Sequence, residues 1–385
     1  MQLPIYLDYA ATTPVDPRVA AKIAGCLTMD GVFANPASRS HIYGWQAEEQ
    51  VELARRNVAS LLACDPREIV WTSGATESNN LALKGIFEST EFTGGLVTST
   101  TEHKAVIDPA KWLAEKGVGV QWLEPGSDGV IDTEKVRQAI TDEVRLVSIM
   151  LVNNETGVVN PIAEIGQLCR EKGVLLHVDA AQAVGRLDID VNNLSVDLMS
   201  LSAHKFYGPK GVGALYVRRA IQSQLKPLIH GGGHERGMRS GTLATHQLAG
   251  MGEAARLITE SQGVEAAELA EKSNRLWLGI KDLPGVRRNG CSQNVSPSHL
   301  NVCFSGVDGE TLLLSLRELA VSSGSACTSA SLEPSYVLKA MGVSDEDAHS
   351  SIRFSIGRFT SDDDISKAIN HICKIYTELH QTQSV

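Results

Sequence analysis

Four polar clusters follow apolar runs in the middle of the chain, and their residues could carry out amine and proton chemistry. The clusters are TEH, NNETG, DAAQ and SAHKFYGPKG. The last cluster presents Lys205 between a histidine and a Gly–Pro loop. A lysine in a partly desolvated pocket has a lowered pKa and becomes nucleophilic, as a Schiff-base lysine must. An ordinary surface lysine explains the residue more simply, so Lys205 alone decides nothing.

Asp179 ends the apolar run VLLHVD. A carboxylate there is costly unless it meets a cation or hydrogen-bond donors. An aspartate that pairs with the pyridinium nitrogen of pyridoxal phosphate is one such case. The N-cap of a following helix is the alternative.

In the segment TSGATESNN, small residues directly precede a helical pattern. Such residues let the backbone N–H groups of Ala75 and Thr76 approach a phosphate, and the helix N-terminus adds its positive end. Ordinary capping by Ser or Thr explains the segment equally well. The chain has no Walker A sequence, and no GxGxxG follows a first strand, so nucleotide binding loses support.

Other polar side chains after strands suit a planar cofactor and an amino-acid substrate. His103 in TEH could stack on a ring and carry protons near neutral pH, although a lone histidine is more often structural. Asn154 and Gln182 could hydrogen-bond a ring and its hydroxyl, with turn formation as the alternative. Arg353 in SSIRFSIGR could hold a carboxylate bidentately, or it could be a surface charge.

Cys327 differs in context from the other cysteines. The chain has seven cysteines and no CxxC pair, which argues against a disulfide framework and against a zinc site. Most of them are expected to be buried small apolar residues in a reducing compartment. Cys327 lies in AVSSGSACTSASLEP, without apolar neighbours that would bury it. The composition predicts a mobile, exposed loop over about 322–334 with a nucleophilic thiol.

The elements that position these residues alternate between strand and helix patterns. The segment PIAEIGQLCREKG has helical apolar spacing and ends in Lys and Gly. Alternation of this kind predicts a mainly parallel sheet with helices on both faces, and ligands bind at the carboxyl ends of its strands. The four polar clusters are therefore expected to converge on one site. The predicted strands lie in GGLVTSTTEH, EVRLVSIMLVNNE, GVLLHVDAAQ, VDLMSLSAHK and GVGALYVRR.

The pattern changes near residue 253 to a long helix followed by shorter strand-like pieces, HLNVCFSG and SIRFSIG. The sequence therefore predicts an α/β protein with two domains. The large domain spans 16–255 and contains the parallel sheet. The smaller α+β domain is formed by 1–15 and 256–385 and carries the cysteine loop.

Composition narrows the class of protein. The 385 residues are 43% hydrophobic and 21% charged, which is ordinary globular usage and excludes general disorder. The net charge of −10 argues against a broad nucleic-acid or anionic-membrane surface. No signal-peptide pattern opens the chain and no apolar run approaches a membrane span. We therefore predict a soluble cytoplasmic protein with no direct nucleic-acid or membrane partner and no metal site.

Ten segments in order resemble one family. The chain is similar, over nearly its whole length, to the cysteine desulfurases of the NifS/IscS type within the fold-type-I, class-V aminotransferase superfamily. The loop SSGSACTS is typical of the group I desulfurases. The matching segments are YLDYAATTPVDPRV, NPASRSH, TSGATESNN, TEHKAV, NNETGVV, HVDAAQAVG, SAHKFYGPKG, GGGHERGMRSGT, SSGSACTSASLEPSYVL and SSIRFSIGR.

The resemblance implies pyridoxal 5′-phosphate as cofactor, L-cysteine as substrate, a homodimer, and proteins that accept the sulfur. It implies that Lys205 forms the Schiff base, that Asp179 pairs with the pyridine nitrogen and that Cys327 accepts sulfur. His103 would stack on the ring and act on protons, and Gln182 would contact the ring hydroxyl. The phosphate would be held by Ala75, Thr76, Ser202, His204 and Thr242, the last from the second subunit. The substrate carboxylate would be held by Asn154 and Arg353, with Asn154 also touching the cofactor.

Several alternatives stay open at the level of sequence. An aminotransferase or a selenocysteine lyase would share the fold, and a non-catalytic sulfur-relay protein would keep the fold without the chemistry. The acceptor could belong to iron–sulfur cluster assembly, tRNA thiolation or DNA phosphorothioation.

Overall fold

The structure is a computed structural model that describes residues 3–323 and 333–383. Cys327 and most of the predicted cysteine loop lie outside the described residues. The strands are β1 (Ile5–Tyr6), β2 (Ile69–Thr72), β3 (Gly95–Ser99), β4 (Gly119–Leu123), β5 (Val144–Ser148), β6 (Leu175–Asp179), β7 (Leu198–Ser202), β8 (Gly213–Val217), β9 (Val286–Arg288), β10 (His299–Phe304), β11 (Leu319–Ala320), β12 (Ser322–Ser323) and β13 (Ser351–Ser355). The helices are α1 (Pro17–Ala24), α2 (Ile42–Leu61), α3 (Ala75–Glu88), α4 (Lys104–Glu115), α5 (Thr133–Ala139), α6 (Ile162–Lys172), α7 (Thr245–Ile280), α8 (Gly309–Ser315), α9 (Tyr336–Ala340), α10 (Asp345–His349) and α11 (Asp362–Gln383).

A seven-stranded sheet has the order β2-β8-β7-β6-β5-β3-β4. Strands β7, β6, β5, β3 and β4 pair in parallel, while β8 is antiparallel to both β2 and β7. This confirms the predicted α/β class with its mainly parallel sheet, and the strands predicted from apolar runs are present as β3, β5, β6, β7 and β8. Strands β2 and β4 were not predicted. The edge strand β4 alternates exposed and half-buried side chains and so lacks an apolar run.

Helices cover both faces of this sheet, which is why its inner strands read as continuous apolar runs. Two separate hydrophobic cores lie against it; one contains Val147 and Leu201, and the other contains Leu146 and Leu198. Helix α6 ends as its sequence predicts, because Gly173 takes the left-handed conformation (φ 68°) just after Arg170 and Lys172. These packed elements place the carboxyl ends of the parallel strands at one edge of the sheet.

A four-stranded antiparallel sheet, with the order β12-β13-β10-β9, forms the centre of a second region. Leu7 packs in its core, and Asp8 bridges to Ser355 at the end of β13. Strand β1 pairs in parallel with β11. The N-terminal residues therefore pack with the second sheet, which supports the assignment of 1–15 to the smaller domain.

Helix α7 runs through both regions. Its first part contributes Ala254 and Ile258 to a core beside the large sheet, and its second part contributes Leu269 and Leu276 to the core of the small sheet. The predicted boundary at residue 255 lies inside this helix. The division into two domains stays a prediction, supported by the separate cores.

The six described cysteines are all free thiols. Burial raises the pKa of Cys64, Cys169 and Cys303 to about 12, so these thiols are protonated and unreactive at neutral pH. Within the described ranges, no helix combines the length and the apolar character that a membrane span needs. The predicted cytoplasmic location stays a prediction.

A buried ion pair joins α2 to the loop before α7. The Arg55 guanidinium donates to both carboxylate oxygens of Glu235, at 2.8 and 2.9 Å, and Glu235 also accepts from the backbone N–H of Trp71 at 2.9 Å. Both side chains are at most 5% exposed. The pair is therefore bidentate and shielded from water, which is the arrangement in which removing one partner is most costly.

We expect Glu235→Ala to lower the free energy of unfolding by about 3–5 kcal/mol, because it leaves the Arg55 charge buried without its bidentate, buried partner. The matched control is Glu52→Ala. Glu52 also accepts from Arg55, but its side chain is 46% exposed, so its loss should cost less than about 1 kcal/mol. Urea denaturation of both variants measures the difference, and equal losses would contradict the role given to Glu235.

Candidate active site

A cavity of about 470 Å³ lies at the carboxyl ends of the parallel strands. The loops after β3, β5, β6 and β7 form its walls, so the four polar clusters meet as expected. Thr242 is exposed and outside this lining. A larger groove of about 1410 Å³ lies at the amino ends of the strands and contains none of the predicted residues. The predicted residues that line the cavity are Ala75, Thr76, His103, Asn154, Asp179, Gln182, Ser202, His204, Lys205 and Arg353.

Lys205 lies on a 3₁₀ turn, Ala203–Lys205, directly after β7. Its Nζ donates to the carbonyl oxygens of Ala10 and Ala11 at 2.6 and 2.9 Å. The backbone of the turn is also fixed, because Arg186 donates to the Lys205 carbonyl oxygen at 3.1 Å. The amine is therefore held at the cavity wall by the N-terminal segment, whose alanines gave no functional signal in the sequence.

Asp179 ends β6 and is 6% exposed. One carboxylate oxygen accepts from the Asn79 side chain at 2.7 Å, and the other accepts from the backbone N–H of Ala181 at 2.9 Å. The residues after Asp179 form turns, so the interpretation as a helix N-cap is wrong. Its carboxylate is positioned by two donors and borders the cavity.

The N-terminus of α3 opens onto the same cavity. Its N-cap is Gly74, which caps the helix without a side chain, so the interpretation as Ser or Thr capping is wrong. A Cβ built on Gly74 would lie 3.6 Å from the Ser202 hydroxyl. Glycine at this position leaves room for an anion beside the N–H groups at the start of the helix.

His204 and His103 are held in defined states. Burial and the nearby charges of Lys205 and Lys210 lower the pKa of His204 to about 4, so its ring is neutral at physiological pH. His103 Nδ1 accepts from the backbone N–H of Ala105 at 3.1 Å and caps α4. Because Nδ1 accepts, Nε2 is the nitrogen that carries the proton of the neutral ring.

Arg353 is buried at 4% exposure, so its interpretation as a surface charge is wrong. It donates to the Asn154 carbonyl oxygen at 2.8 Å and to the Asp8 carboxylate at 2.7 Å. These contacts fix the guanidinium between the small sheet and the loop after β5. Its Nε has no hydrogen-bond partner among the described residues.

Two buried glutamates, Glu102 and Glu155, are next in sequence to the cavity residues His103 and Asn154. Burial, reinforced by the nearby Asp179 carboxylate, raises the pKa of Glu102 to about 8. Burial also raises the pKa of Glu155 to about 7, although the Ser335 hydroxyl and the Arg353 charge partly oppose this. Sequence reasoning singled out the histidine and the asparagine beside them and missed these carboxyls, because a glutamate in a polar loop is usually exposed.

Three residues that line the cavity each have a buried polar atom without a hydrogen-bond partner among the described residues: Gln182 Oε1, Asn154 Oδ1 and Arg353 Nε. Buried polar atoms are normally hydrogen-bonded, so such groups at a cavity point to a ligand that they bind. Together with the open N-terminus of α3, the amine of Lys205 and the carboxylate of Asp179, they fit a phosphorylated, ring-shaped cofactor and an amino-acid substrate.

Comparison with known proteins agrees with this site. A family model described as aminotransferase class-V matches residues 5–367. The cysteine desulfurase IscS of Proteus mirabilis is 59% identical over 373 residues, which cover 97% of this chain and 92% of that protein. The chain belongs to the cysteine desulfurase family of class-V aminotransferases. Like the other members of this family, it depends on pyridoxal phosphate.

Two solved structures have the same architecture as this chain. A NifS-like protein superposes with a TM-score of 0.90 at 34% identity, and the match covers 98% of this chain and all of that one. SspA, solved in complex with cysteine, superposes with a TM-score of 0.83 at 39% identity, over 93% of this chain and 100% of its own. These similarities confirm the predicted fold class.

Proposed function

We propose that the chain removes sulfur from L-cysteine, releases L-alanine and leaves the sulfur as a persulfide on Cys327. The observation that carries the proposal is the meeting of Lys205, Asp179, His103 and Arg353 at one cavity. The step balances without another oxidant. The substrate C–S bond breaks and its carbon takes a proton, while the Cys327 sulfur is oxidised as it forms the new S–S bond.

The residues at the cavity suit pyridoxal phosphate. When bound, the cofactor supplies an electron sink for the α-carbon of an amino acid. Asp179 would pair with the pyridine nitrogen, Gln182 would meet the ring hydroxyl through its unpartnered oxygen, and His103 would stack on the ring. The phosphate would be held by Ala75, Thr76, Ser202 and His204, with Thr242 from a second copy of the chain.

Lys205 attaches the cofactor and then takes the α-proton of the substrate. Both tasks need an amine that is neutral part of the time. The Ala10 and Ala11 carbonyl oxygens orient Nζ without adding a charge of their own, and the neutral ring of His204 adds none on the neighbouring position. Two of the groups that orient Lys205 Nζ are therefore uncharged backbone carbonyls.

Arg353 and Asn154 hold the substrate carboxylate. The guanidinium is already fixed by Asp8 and by the Asn154 backbone, and its unpartnered Nε can donate to a carboxylate oxygen. A charge-assisted hydrogen bond from a buried, preoriented arginine is strong and directional. It aligns the α-carbon of the amino acid toward Lys205.

His103 carries protons for the two thiols. Its Nδ1 is engaged by the Ala105 backbone, so the exchangeable proton is on Nε2. A histidine suits this role because its ordinary pKa is near neutral. In this tautomer Nε2 donates; it can accept the Cys327 thiol proton only after the ring changes to the form protonated at Nδ1, which gives up the Ala105 contact, and the thiolate so formed attacks the substrate sulfur.

A direct test follows one turnover. The protein, loaded with pyridoxal phosphate, is mixed with one equivalent of L-cysteine and no added thiol. We expect alanine and protein-bound sulfur in equal amounts, with peptide mass analysis placing one extra sulfur atom on Cys327. Free sulfide without a persulfide, or a persulfide on another cysteine, would contradict the proposal.

The functional unit is proposed to be a homodimer. Large apolar side chains are exposed along residues 27–45, and a concentration of such side chains in one place usually marks an interaction surface. Thr242 is exposed on its own chain, which leaves it available to the cavity of a second copy. The exposed side chains, 43–71% accessible, are Leu27, Met29, Phe33, Ile42, Tyr43 and Trp45.

We expect Trp45→Arg to weaken the dimer by about 100-fold or more in dissociation constant, since an aromatic anchor is replaced by a charge at an apolar interface. Light scattering after size-exclusion chromatography measures the change. The control is Leu314→Arg, because Leu314 is 71% exposed outside this segment and its variant should stay dimeric. A dimeric Trp45→Arg protein would place the interface elsewhere.

The persulfide is proposed to pass to acceptor proteins. The relatives named IscS make iron–sulfur cluster assembly the first acceptor system to test, beside tRNA thiolation and DNA phosphorothioation. Capture of proteins from the native cells on the persulfide-loaded enzyme, compared with the enzyme lacking that sulfur, identifies the acceptor.

A further inference from the structure

Glu77 lies in the first turn of α3 and lines the cavity together with the residues proposed to hold the cofactor phosphate. Its carboxylate accepts from the backbone N–H of Ser73 at 2.8 Å. This contact fixes the loop that leads into the helix. The N–H groups of Ala75 and Thr76 are the first of the helix and have no acceptor inside it, so they are the ones available to an anion.

A carboxylate at this position is unfavourable for a phosphorylated ligand. A phosphate group carries about 1.5 to 2 negative charges at neutral pH, and like charges brought close together lower the affinity. Burial alone would raise the pKa of Glu77, but the Arg239 guanidinium and the hydrogen bond from Ser73 outweigh burial and hold the pKa below its ordinary value. Glu77 is therefore ionised at neutral pH, and a phosphate in the same cavity requires that its charge be neutralised.

The Arg239 guanidinium neutralises this carboxylate. Its Nε donates to Glu77 Oε1 at 2.8 Å and its Nη2 donates to Oε2 at 3.3 Å, so both carboxylate oxygens are engaged. The Arg239 and Glu77 side chains are 21% and 15% exposed, which places the pair largely out of water, where screening by salt is weaker. Glu77 can therefore hold the Ser73 backbone without presenting a net charge to the cavity.

The loop before α7 holds Arg239 in this place. The Ser240 N–H donates to the Ile229 carbonyl oxygen at 3.2 Å, and the Gly241 N–H donates to His234 Nδ1 at 3.3 Å. Gly241 has a φ of 137°, and a Cβ built on it would lie 3.1 Å from Arg239 Nη1. Glycine thus lets the backbone pass close to the guanidinium, where a side chain would press on it.

We propose that Glu77 and Arg239 are positioning residues for the cofactor phosphate: the carboxylate fixes the loop before α3, and the guanidinium cancels the negative charge that this places in the cavity. The inference rests on the proposed function and adds two residues to it. Both residues act through others, because the phosphate itself is held by the N–H groups at the start of α3. An ion pair that only stabilised the fold would not distinguish a phosphorylated ligand from one without the phosphate.

The test compares two ligands that differ only in the phosphate. The full-length protein, freed of cofactor, is dialysed to equilibrium against pyridoxal phosphate or against pyridoxal. Both aldehydes would attach to Lys205 in the same way, so the ratio of their two dissociation constants reports on the phosphate alone. The absorption of the lysine-attached ligand measures each constant without any turnover.

The variants separate charge from contact. Arg239→Met removes the guanidinium, and Arg239→Lys keeps its charge. Glu77→Gln removes the negative charge but keeps an acceptor for the Ser73 N–H. The control is Arg256→Met, which removes a comparable pair outside the lining of the cavity, where Arg256 donates to the two carboxylate oxygens of Glu253 at 2.7 and 3.0 Å.

We expect Arg239→Met to raise the dissociation constant for pyridoxal phosphate by about 10- to 100-fold, because the Glu77 charge then acts on the phosphate without compensation. The constant for pyridoxal should change less than about twofold. Adding Glu77→Gln to Arg239→Met should restore the affinity for pyridoxal phosphate to within about threefold of the wild type, since the uncompensated charge is gone. Arg239→Lys should keep most of the affinity, and Arg256→Met should match the wild type.

An unchanged ratio of the two dissociation constants in Arg239→Met would overturn the positioning role, and so would a double variant that binds pyridoxal phosphate as weakly as Arg239→Met does. If Arg239→Met does not fold, Glu77→Gln decides the matter. It should bind pyridoxal phosphate at least as tightly as the wild type, and a loss of about tenfold or more would contradict the neutralisation. A wild-type enzyme that forms no persulfide on Cys327 would instead overturn the proposed function, so the two failures are distinguishable.

Discussion

Lys205→Ala is expected to lose the absorption band of the lysine-attached cofactor and to lower alanine formation from L-cysteine by about 10³-fold or more, since removal of a nucleophile that also moves a proton eliminates two steps at once. Lys205 is held in place by contacts at both its amine and its backbone. Its Nζ is oriented by the Ala10 and Ala11 carbonyl oxygens, 2.6 and 2.9 Å away, and its backbone is held by Arg186.

A second lysine at the cavity allows the assignment to Lys205 to be tested against an alternative. Lys210 also lines the cavity, but it is exposed. Borohydride reduction of the wild-type enzyme should fix the cofactor to the peptide that contains Lys205, and the peptide should be unmodified at Lys210. Lys172→Ala, at the exposed end of α6, is the activity control and should behave like the wild type. A reducible band that survives in Lys205→Ala would exclude the assignment.

The sequence predicted best those elements whose burial can be recognised from their own residues. Strands β5, β6 and β7 are largely buried, so each can be recognised in the sequence as a run of consecutive apolar residues. The polar residues that follow them meet at one edge because parallel strands share a direction. The convergence of His103, Asn154, Asp179 and Lys205 is therefore predictable from the order of strands and polar clusters along the chain.

Contacts between distant segments could not be predicted in this way. Ala10 and Ala11 support the catalytic amine through backbone oxygens, which every residue type carries. Asn79 holds Asp179 from a helix a hundred residues earlier in the chain. Such contacts depend on how helices and loops pack on the sheet, and the types of the residues do not encode that packing individually.

The two alternatives that local reasoning left for Asp179 and Arg353 were decided by the tertiary structure. A terminal carboxylate on a strand can cap a helix, but no helix follows Asp179 before β7 within this described stretch. An arginine that alternates with apolar residues can point to solvent, but the loop after β5 covers Arg353. In both cases the burial that makes the residue functional comes from a neighbouring element.

Cys327→Ala is expected to bind pyridoxal phosphate and L-cysteine as the wild type does, yet to form no persulfide on the protein. Alanine formation should fall by about 100-fold or more, because the substrate sulfur loses the nucleophile that accepts it. The cavity residues Lys205, Asp179 and Arg353 are held by contacts within the described structure. The binding of the cofactor and of L-cysteine at the cavity should therefore be unaffected by the substitution.

The other cysteines supply the matched control. Cys373 is a half-buried free thiol on α11, and burial raises its pKa, so Cys373→Ala should keep the full rate of persulfide formation. Mass analysis after one turnover distinguishes the two variants directly. Undiminished persulfide in Cys327→Ala would assign the acceptor to another thiol; the described candidates are either buried with raised pKa values or lie outside the lining of the cavity. Because the accepting thiol must be ionised and must reach the substrate sulfur, the burial and raised pKa values of Cys64, Cys169 and Cys303 favour Cys327.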